Sequence, residues 1–285
     1  MPDFFCYFQF RNTTMSAITN KTILITGGAS GIGKLMGELC LQQGAKRLII
    51  WDIDRKKMHE SDAAFTNNGY EVHSYYVDVR NVDEIKLAAD DIKNKWGAVD
   101  ILFNNAGIIT GNKNFYEFTH DDIENTMRIN TNALMHVALE FLPGMIERKI
   151  GHIVNIASAA GLIPNPKLSV YCASKHAVIG WGESLRLELE QISKDLHVTT
   201  VTPSYISTAM FEGVRSPLVP LVRPQVAAKT IINGVKKNKI YVRMPWIVYA
   251  VPFIKGILPV RWMDFLTGKI FGFHKSMDAF KGKNE

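Results

Sequence analysis

Thr22-Ile23-Leu24-Ile25-Thr26-Gly27-Gly28-Ala29-Ser30-Gly31-Ile32-Gly33 reads as a buried strand that runs through a glycine turn into the first residues of a helix. Glycine suits such a turn because a Cβ would block the φ > 0 conformations and hold the backbone away from phosphates, whose charge the helix N-terminus meets. The stretch therefore reads as a pyrophosphate cradle for a dinucleotide, although the same glycines in isolation would fit ordinary turn punctuation. Working outward, the next strand, Arg47-Leu48-Ile49-Ile50-Trp51, ends in Asp52. That is about twenty residues beyond the glycines, where a carboxylate can accept both hydroxyls of an adenosine ribose. Asp52 favours NAD, since the 2′-phosphate of NADP would face its charge and the slot before Gly31 holds Ser30 instead of a basic residue. Lys34 and Arg55 are close enough to keep NADP as the second choice, and a plain turn residue is the other reading of Asp52.

Short apolar runs recur between helix-patterned stretches at 22–26, 47–51, 72–77, 99–103, 152–157 and 197–202, with a further candidate at 240–243. Such alternation predicts an α/β fold: a Rossmann-like, doubly wound parallel sheet in a three-layer α/β/α sandwich, with its ligand crevice beyond the C-terminal strand ends. Asp78, after the third strand, reads either as an adenine contact or as a local cap. Asn104-Asn105-Ala106-Gly107 follows the fourth strand, where small residues let the backbone pass close to a cofactor and asparagines can tie neighbouring loops together.

With 285 residues, 47% of them apolar, the chain suits one well-cored domain with a C-terminal extension. The expected division is an N-terminal extension over 1–20, the dinucleotide-binding domain over 21–243, and a basic, aromatic extension over 244–285. Three cysteines without CxxC spacing suggest neither a disulfide framework nor a zinc site, and point to a reducing, cytoplasmic setting. Scattered histidines give no metal-binding pattern. Residues 1–14 are aromatic but lack the features of a signal peptide or anchor, and Met15 offers a second start. Charge is concentrated at the other end: residues 234–285 hold ten Lys/Arg against three Asp/Glu, a net of +7, out of +6 for the whole chain. Nine of the twenty-nine aromatic residues lie there too, in apolar runs too short to span a bilayer. Two readings stay open, a segment lying on an anionic membrane and a helical flap over a substrate pocket. Nothing in the charge pattern matches a nucleic-acid module.

Ser158 closes the fifth strand, and Tyr171-Cys172-Ala173-Ser174-Lys175 opens a long helix thirteen residues later. The i,i+4 spacing puts Tyr171 and Lys175 on one helix face. A phenol with pKa near 10 is a poor base at neutral pH, but an ammonium beside it favours the phenolate. Tyr171 is thus a candidate proton acceptor, with Ser158 bonding the same reacting oxygen while a hydride moves between a carbinol carbon and a nicotinamide.

Taken together, TGGASGIG at 26–33, NNAG at 104–107, Asn130, Ser158 and YCASK at 171–175 resemble the short-chain dehydrogenase/reductases from about Lys21 to beyond Met210. The resemblance implies Tyr171 as catalytic acid/base, Lys175 as its partner and a ligand of the nicotinamide ribose, and Ser158 as the group orienting the substrate oxygen. It makes Asn130 the holder of a water that links Lys175 to solvent; a kink-associated helix asparagine is the other reading. Cofactor contacts fall on Gly27, Ser30, Gly31, Ile32 and Gly33 in the loop, on Asp52, Asp78 and Val79, and on Asn105, Ala106 and Gly107. Tyr171, Lys175, Pro203 and Thr208 complete them. Trp51-Asp52-Ile53, NNAGIITG at 104–111, Thr208 to Gly213 and Lys275 to Phe280 look like one subgroup, the retinol and 17-beta-hydroxysteroid dehydrogenases. Two departures stand out: Pro203-Ser204 replaces the family's usual Pro-Gly, and the subgroup's N-terminal hydrophobic anchor is missing.

The leading expectation is an NAD-dependent dehydrogenase of lipophilic secondary or allylic alcohols and their ketones or aldehydes, retinol-like or hydroxysteroid-like. The alternatives are a reductase of a small carbonyl or acyl group and a non-catalytic cofactor-binding protein at a lipid surface. A homo-oligomer, dimer or tetramer, would pair the helices near 119–147 and 169–194, and peripheral membrane contact would run through the tail.

Overall fold

In the computed structural model, which describes residues 16–208, 210, 213, 221–272 and 280, seven parallel strands form one sheet. They are β1 (Thr22–Thr26), β2 (Arg47–Asp52), β3 (Val72–Tyr76), β4 (Ile101–Asn104), β5 (Gly151–Ile156), β6 (Leu196–Pro203) and β7 (Tyr241–Met244). Their spatial order is β3-β2-β1-β4-β5-β6-β7, so the chain reverses its winding between β1 and β4. In a doubly wound sheet that reversal opens a crevice at the C-terminal strand ends. Here the glycine turn leaves β1 and Asn104–Gly107 leaves β4 on either side of it.

The reason for this architecture is visible in burial. β1 and β5 are buried along their whole length, which requires cover on both faces. On one face lie α1 (Gly31–Gln42), α2 (Arg55–Thr66) and α7 (Pro224–Lys236), packing Met36, Phe65 and Ile231 against Ile23, Ile25 and Val201. On the other lie α3 (Val82–Trp96), α5 (Ala133–Arg148) and α6 (Ser169–Ile192), packing Ile85, Val137 and Leu185 against Leu24, Leu102 and Ile153. The shorter α4 (His120–Met127) leads through a π-helical turn at Arg128–Asn132 into α5. β3 forms one edge of the sheet, and its polar His73 and Ser74 are partly exposed there. The extension after β7 is helical as expected: a 3₁₀ turn at Trp246–Tyr249, α8 (Val251–Ile257), α9 (Val260–Phe265) and a π-helical turn at Leu266–Ile270.

Buried at the start of β5, His152 carries a pH dependence. Thr199 Oγ1 gives its proton to Lys239 O at 2.7 Å and so accepts from His152 Nε2–H at 2.8 Å, which fixes a neutral tautomer. Burial, with a smaller contribution from His197, pushes the imidazole from its ordinary 6.5 down to about 3. The unfolded chain then binds the extra proton first, so stability is retained above pH 6.5 and lost as pH falls toward 3. His152→Gln should therefore flatten the acid limb. The stability gap between parent and variant, read from denaturant melts, should narrow by up to about 2 kcal/mol between about pH 7 and pH 5. Parallel acid limbs would show that His152 is not the group responsible.

Candidate active site

The glycine turn is built for close approach. Gly27 and Gly31 take φ of +63° and +56°, and a Cβ on Gly33 would stand 2.3 Å from Gly27 O. Asn105 fastens the turn to the end of β4 by donating from Nδ2 to Thr26 O at 2.9 Å and Gly27 O at 3.0 Å. Thr26 Oγ1 accepts from the backbone N–H groups of Asn105 and Ala106, both at 3.0 Å. α1 opens without a side-chain cap on Ser30 and without an acidic residue in its first turn, so its N-terminal dipole faces the crevice unopposed. A pyrophosphate fits this cradle, which any side chain on Gly33 would close.

Asp52 stands at the end of β2, and its Oδ2 accepts from Ala29 N at 3.0 Å. The carboxylate therefore lies against the glycine loop, held also by the N–H groups of Ile53 and Asp54. The two nearby cations are engaged elsewhere: Arg55 stacks 3.9 Å from the Tyr76 ring centroid, and Lys34 lies over Phe65. Asp78 makes local bonds beyond β3. Its carboxylate takes Arg80 N at 3.0 Å and pairs with the Arg80 guanidinium, which holds it below the usual carboxylate range, and Asn81 caps α3. Val79 beside it is buried. Pro203 ends β6, and Thr208 lies beyond a bridge between Ile206 and Val222. Ala209, Phe211, Glu212 and residues 275–279, part of the subgroup's expected signature, lie outside the described residues, as do residues 1–15.

Ser158, Tyr171, Lys175 and Asn130 converge, all buried. Ser158 leaves β5 in extended backbone and hydrogen-bonds the Tyr171 phenol, and its Oγ accepts from Ala160 N at 3.1 Å. Lys175 Nζ donates to Ile156 O at 2.9 Å and stands 5.8 Å from the Tyr171 ring centroid. Asn130 lies in the π-helical turn, a local widening that aims its amide inward. Its Oδ1 accepts from Ile108 N at 2.8 Å, and its Nδ2 donates to Ile108 O at 2.9 Å and Ser174 Oγ at 3.2 Å. Both Asn130 Oδ1 and Lys175 Nζ come within 3.4 Å of where a Gly107 Cβ would stand. Ser174 was not singled out by the sequence reasoning, although it sits inside YCASK. It bonds Tyr171 O at 2.8 Å and so couples Asn130 to the tyrosine's own turn of helix.

One electrostatic expectation needs correction. The lysine was expected to pull the phenol toward deprotonation, but burial dominates both groups. It raises Tyr171 well above its ordinary value, against which the Ser158 hydrogen bond works, and lowers Lys175 to about 8. The ammonium is turned onto a strand carbonyl, and desolvation disfavours the charged form of each partner.

Above Ser158 and Tyr171 opens a narrow cleft with mostly apolar walls. Ile163, Pro164 and Leu168 form one wall. The helical extension forms the other through Ile247, Val251, Ile254, Met263 and Leu266. The few polar side chains besides Ser158 and Tyr171 include Asn165 and Tyr205, which bond each other at 2.7 Å. Phe280, from the far end of the chain, packs against the cluster of Leu168 and Tyr171.

A sheet that reverses winding at a glycine cradle, with a serine, tyrosine and lysine at its C-terminal edge, defines a dinucleotide-dependent oxidoreductase, and the chain belongs to the short chain dehydrogenase family, whose model matches residues 21–218. Its similarities fall in the retinol and hydroxysteroid dehydrogenase subgroup. It is 35% identical to mouse (Mus musculus) epidermal retinol dehydrogenase 2, over 94% of this chain and 87% of that one. It is 31% identical to estradiol 17-beta-dehydrogenase 11 of Pongo abelii, over 89% and 84%. Among solved structures, a short chain dehydrogenase/reductase from Burkholderia phymatum in complex with NAD superposes with a TM-score of 0.76 at 25% identity, covering 85% of this chain and 95% of that one. The protein is an NAD(P)-dependent oxidoreductase of the alcohol dehydrogenase type.

Proposed function

We propose that this chain interconverts lipophilic secondary or allylic alcohols, retinol-like or hydroxysteroid-like, with their carbonyls, using NAD. The observation that carries the reading is the cleft, which is apolar on both walls and has its hydrogen-bonding pair, Ser158 and Tyr171, at the floor. Such a site selects by apolar area, and the described residues that line it include no cation to clamp a small acidic substrate. A small polar carbonyl would find few partners on these walls, and a binding-only protein would have no use for the Ser158, Tyr171 and Lys175 set.

In the proposed mechanism the carbinol oxygen sits between Ser158 Oγ and Tyr171 Oη, and Tyr171 takes the hydroxyl proton as the hydride leaves carbon. Bound NAD supplies the hydride-accepting carbon and, in its oxidised form, a positive charge that favours the phenolate. Lys175 holds the ribose, and Asn130, rigidly bonded to Ile108, positions the water through which Lys175 exchanges its proton with solvent. Gly27, Ser30, Gly31, Ile32 and Gly33 cradle the pyrophosphate. Asp78 and Val79 would contact the adenine, Asn105, Ala106 and Gly107 the ribose, and Pro203 and Thr208 the carboxamide. Dimers or tetramers would pair α5 and α6, where Leu139 and Leu187 are exposed.

Asp52 should set cofactor choice, because its carboxylate suits a ribose and repels a 2′-phosphate, and neither Arg55 nor Lys34 is free to offset it. Asp52→Arg should raise the NADP to NAD ratio of kcat/KM by about tenfold or more, the worth of roughly one charged hydrogen bond gained or lost. An unchanged ratio would remove Asp52 from the site. The reading as a whole is tested by kcat/KM with NAD across retinol, hydroxysteroids and short aliphatic alcohols. The bulky alcohols should lead, and a short alcohol or acyl substrate leading would overturn it.

A further inference from the structure

The extension that walls the cleft has a second face, and that face is apolar where it meets water. Trp246 is 77% exposed, Phe253 72%, Val260 75% and Trp262 63%, with Ile257, Phe265 and Ile270 exposed beside them. Among the described residues, eight of the twenty-one exposed large apolar side chains fall within 246–270. The helices are thus apolar on both sides: Val251 and Ile254 turn to the cleft while Phe253 and Ile257 of the same helix turn away, and Met263 and Leu266 turn inward while Trp262 and Phe265 turn out. Beside these outer side chains stand Lys269 and Arg261, the latter 3.4 Å from Asp264, the single acid over residues 244–272, while Lys255 reaches back to donate to Leu162 O at 3.1 Å.

We propose that this outer face docks on an anionic lipid bilayer, so that the extension is lid and membrane contact at once. Two tryptophans and a phenylalanine flanked by cations match what the headgroup region offers: an apolar boundary for the rings and anionic phosphates for the bases. A second copy of this chain would present the same cations and meet repulsion, whereas phosphatidylserine complements them. No helix among the described residues is long and apolar enough to cross a membrane, so the contact is interfacial. Docking would set the cleft wall itself against the acyl region and let an alcohol partition from lipid into the site without crossing water. That delivery step rests on the reading of the cleft as a lipophilic alcohol site; the docking step does not.

Full-length protein should co-sediment with phosphatidylcholine vesicles that contain phosphatidylserine, less with phosphatidylcholine alone, and less at high salt. The double variant Arg261→Glu, Lys269→Glu should lose about tenfold or more in partition onto the anionic vesicles, and Phe253→Ser with Trp262→Ser should lose binding to both. Neither outer-face residue lines the cleft, so the Phe253→Ser, Trp262→Ser variant should keep NAD binding and its kcat/KM for an alcohol presented in cyclodextrin, while losing activity on the same alcohol presented in vesicles. Retained fluorescence quenching by NADH shows that each variant is folded. Absence of vesicle binding by the parent, or equal binding by parent and both variants, overturns the docking proposal. So does a parent dimer that Phe253→Ser and Trp262→Ser convert to monomer without any vesicle binding, which would assign the face to a second copy. Vesicle docking without alcohol oxidation in either presentation would leave the docking intact and sink the functional reading instead.

Discussion

Tyr171→Phe is expected to leave NAD binding within about twofold of the parent and to lower kcat for the best alcohol by roughly 10²–10⁴-fold, the usual cost of losing a general base. The ring stays packed against Leu168 and the same buried surroundings, and only the group that bonds Ser158 and moves the proton is gone. Burial above all, with smaller contributions from Cys172 and Tyr205, holds the phenol above its ordinary value, so the parent rate for oxidation should climb with pH while the variant's residual rate should not. NADH production followed for both proteins across neutral to alkaline pH checks this. A variant that turned over at the parent rate would remove Tyr171 from the chemistry.

Gly33→Ala should be the most damaging single change to the cofactor site. The added methyl would fall 2.3 Å from Gly27 O and 2.7 Å from Asn105 Nδ2, and the first of these is backbone that cannot rotate away. Relief requires α1 to move off the turn, and overpacking of this kind costs about 1–3 kcal/mol. That shift would also pull the N-terminal amides away from the pyrophosphate, so NAD affinity should fall at least about tenfold with the fold retained. Gly31→Ala makes the useful comparison, because a Cβ there meets nothing within 4 Å and only the left-handed backbone resists it. Equal NAD affinity for Gly33→Ala and the parent, by fluorescence titration, would contradict the cradle.

Much of the fold was legible because strands buried on both faces carry apolar runs, as Ile23–Ile25 of β1 and Leu48–Trp51 of β2 do, while β5 and β6 interleave theirs with polar residues. The candidate site was legible for a related reason: the glycine turn, Asp52, Asn105–Gly107 and Ser158 stand at or just beyond the C-terminal ends of β1, β2, β4 and β5. What remained hidden depends on geometry between elements. Nothing in Arg128-Ile129-Asn130-Thr131-Asn132 announces a π-helical turn, which is set by how Asn130 pairs with the backbone of Ile108 across the cleft. The balance at Tyr171 and Lys175 was misjudged because i,i+4 spacing reports a shared face and says nothing of desolvation. The pairing of Asp78 with Arg80 was hidden as well, because it depends on the turn between β3 and α3. The tail was read as flap or membrane segment because composition counts residues without assigning them to sides. In the fold its inner side lines the cleft and its outer side faces water.

The central claim is that this chain moves a hydride from the carbon of a lipophilic alcohol to NAD at the Ser158–Tyr171 floor. The most direct measurement is the mass of the NADH formed when purified protein oxidises retinol or a hydroxysteroid deuterated at the carbinol carbon. The account predicts that the NADH carries the deuterium, and that Tyr171→Phe forms this product at a rate lower by the factor given above. Protein that binds NAD yet transfers no deuterium from any lipophilic alcohol, and reduces none of the corresponding carbonyls with NADH, would contradict it.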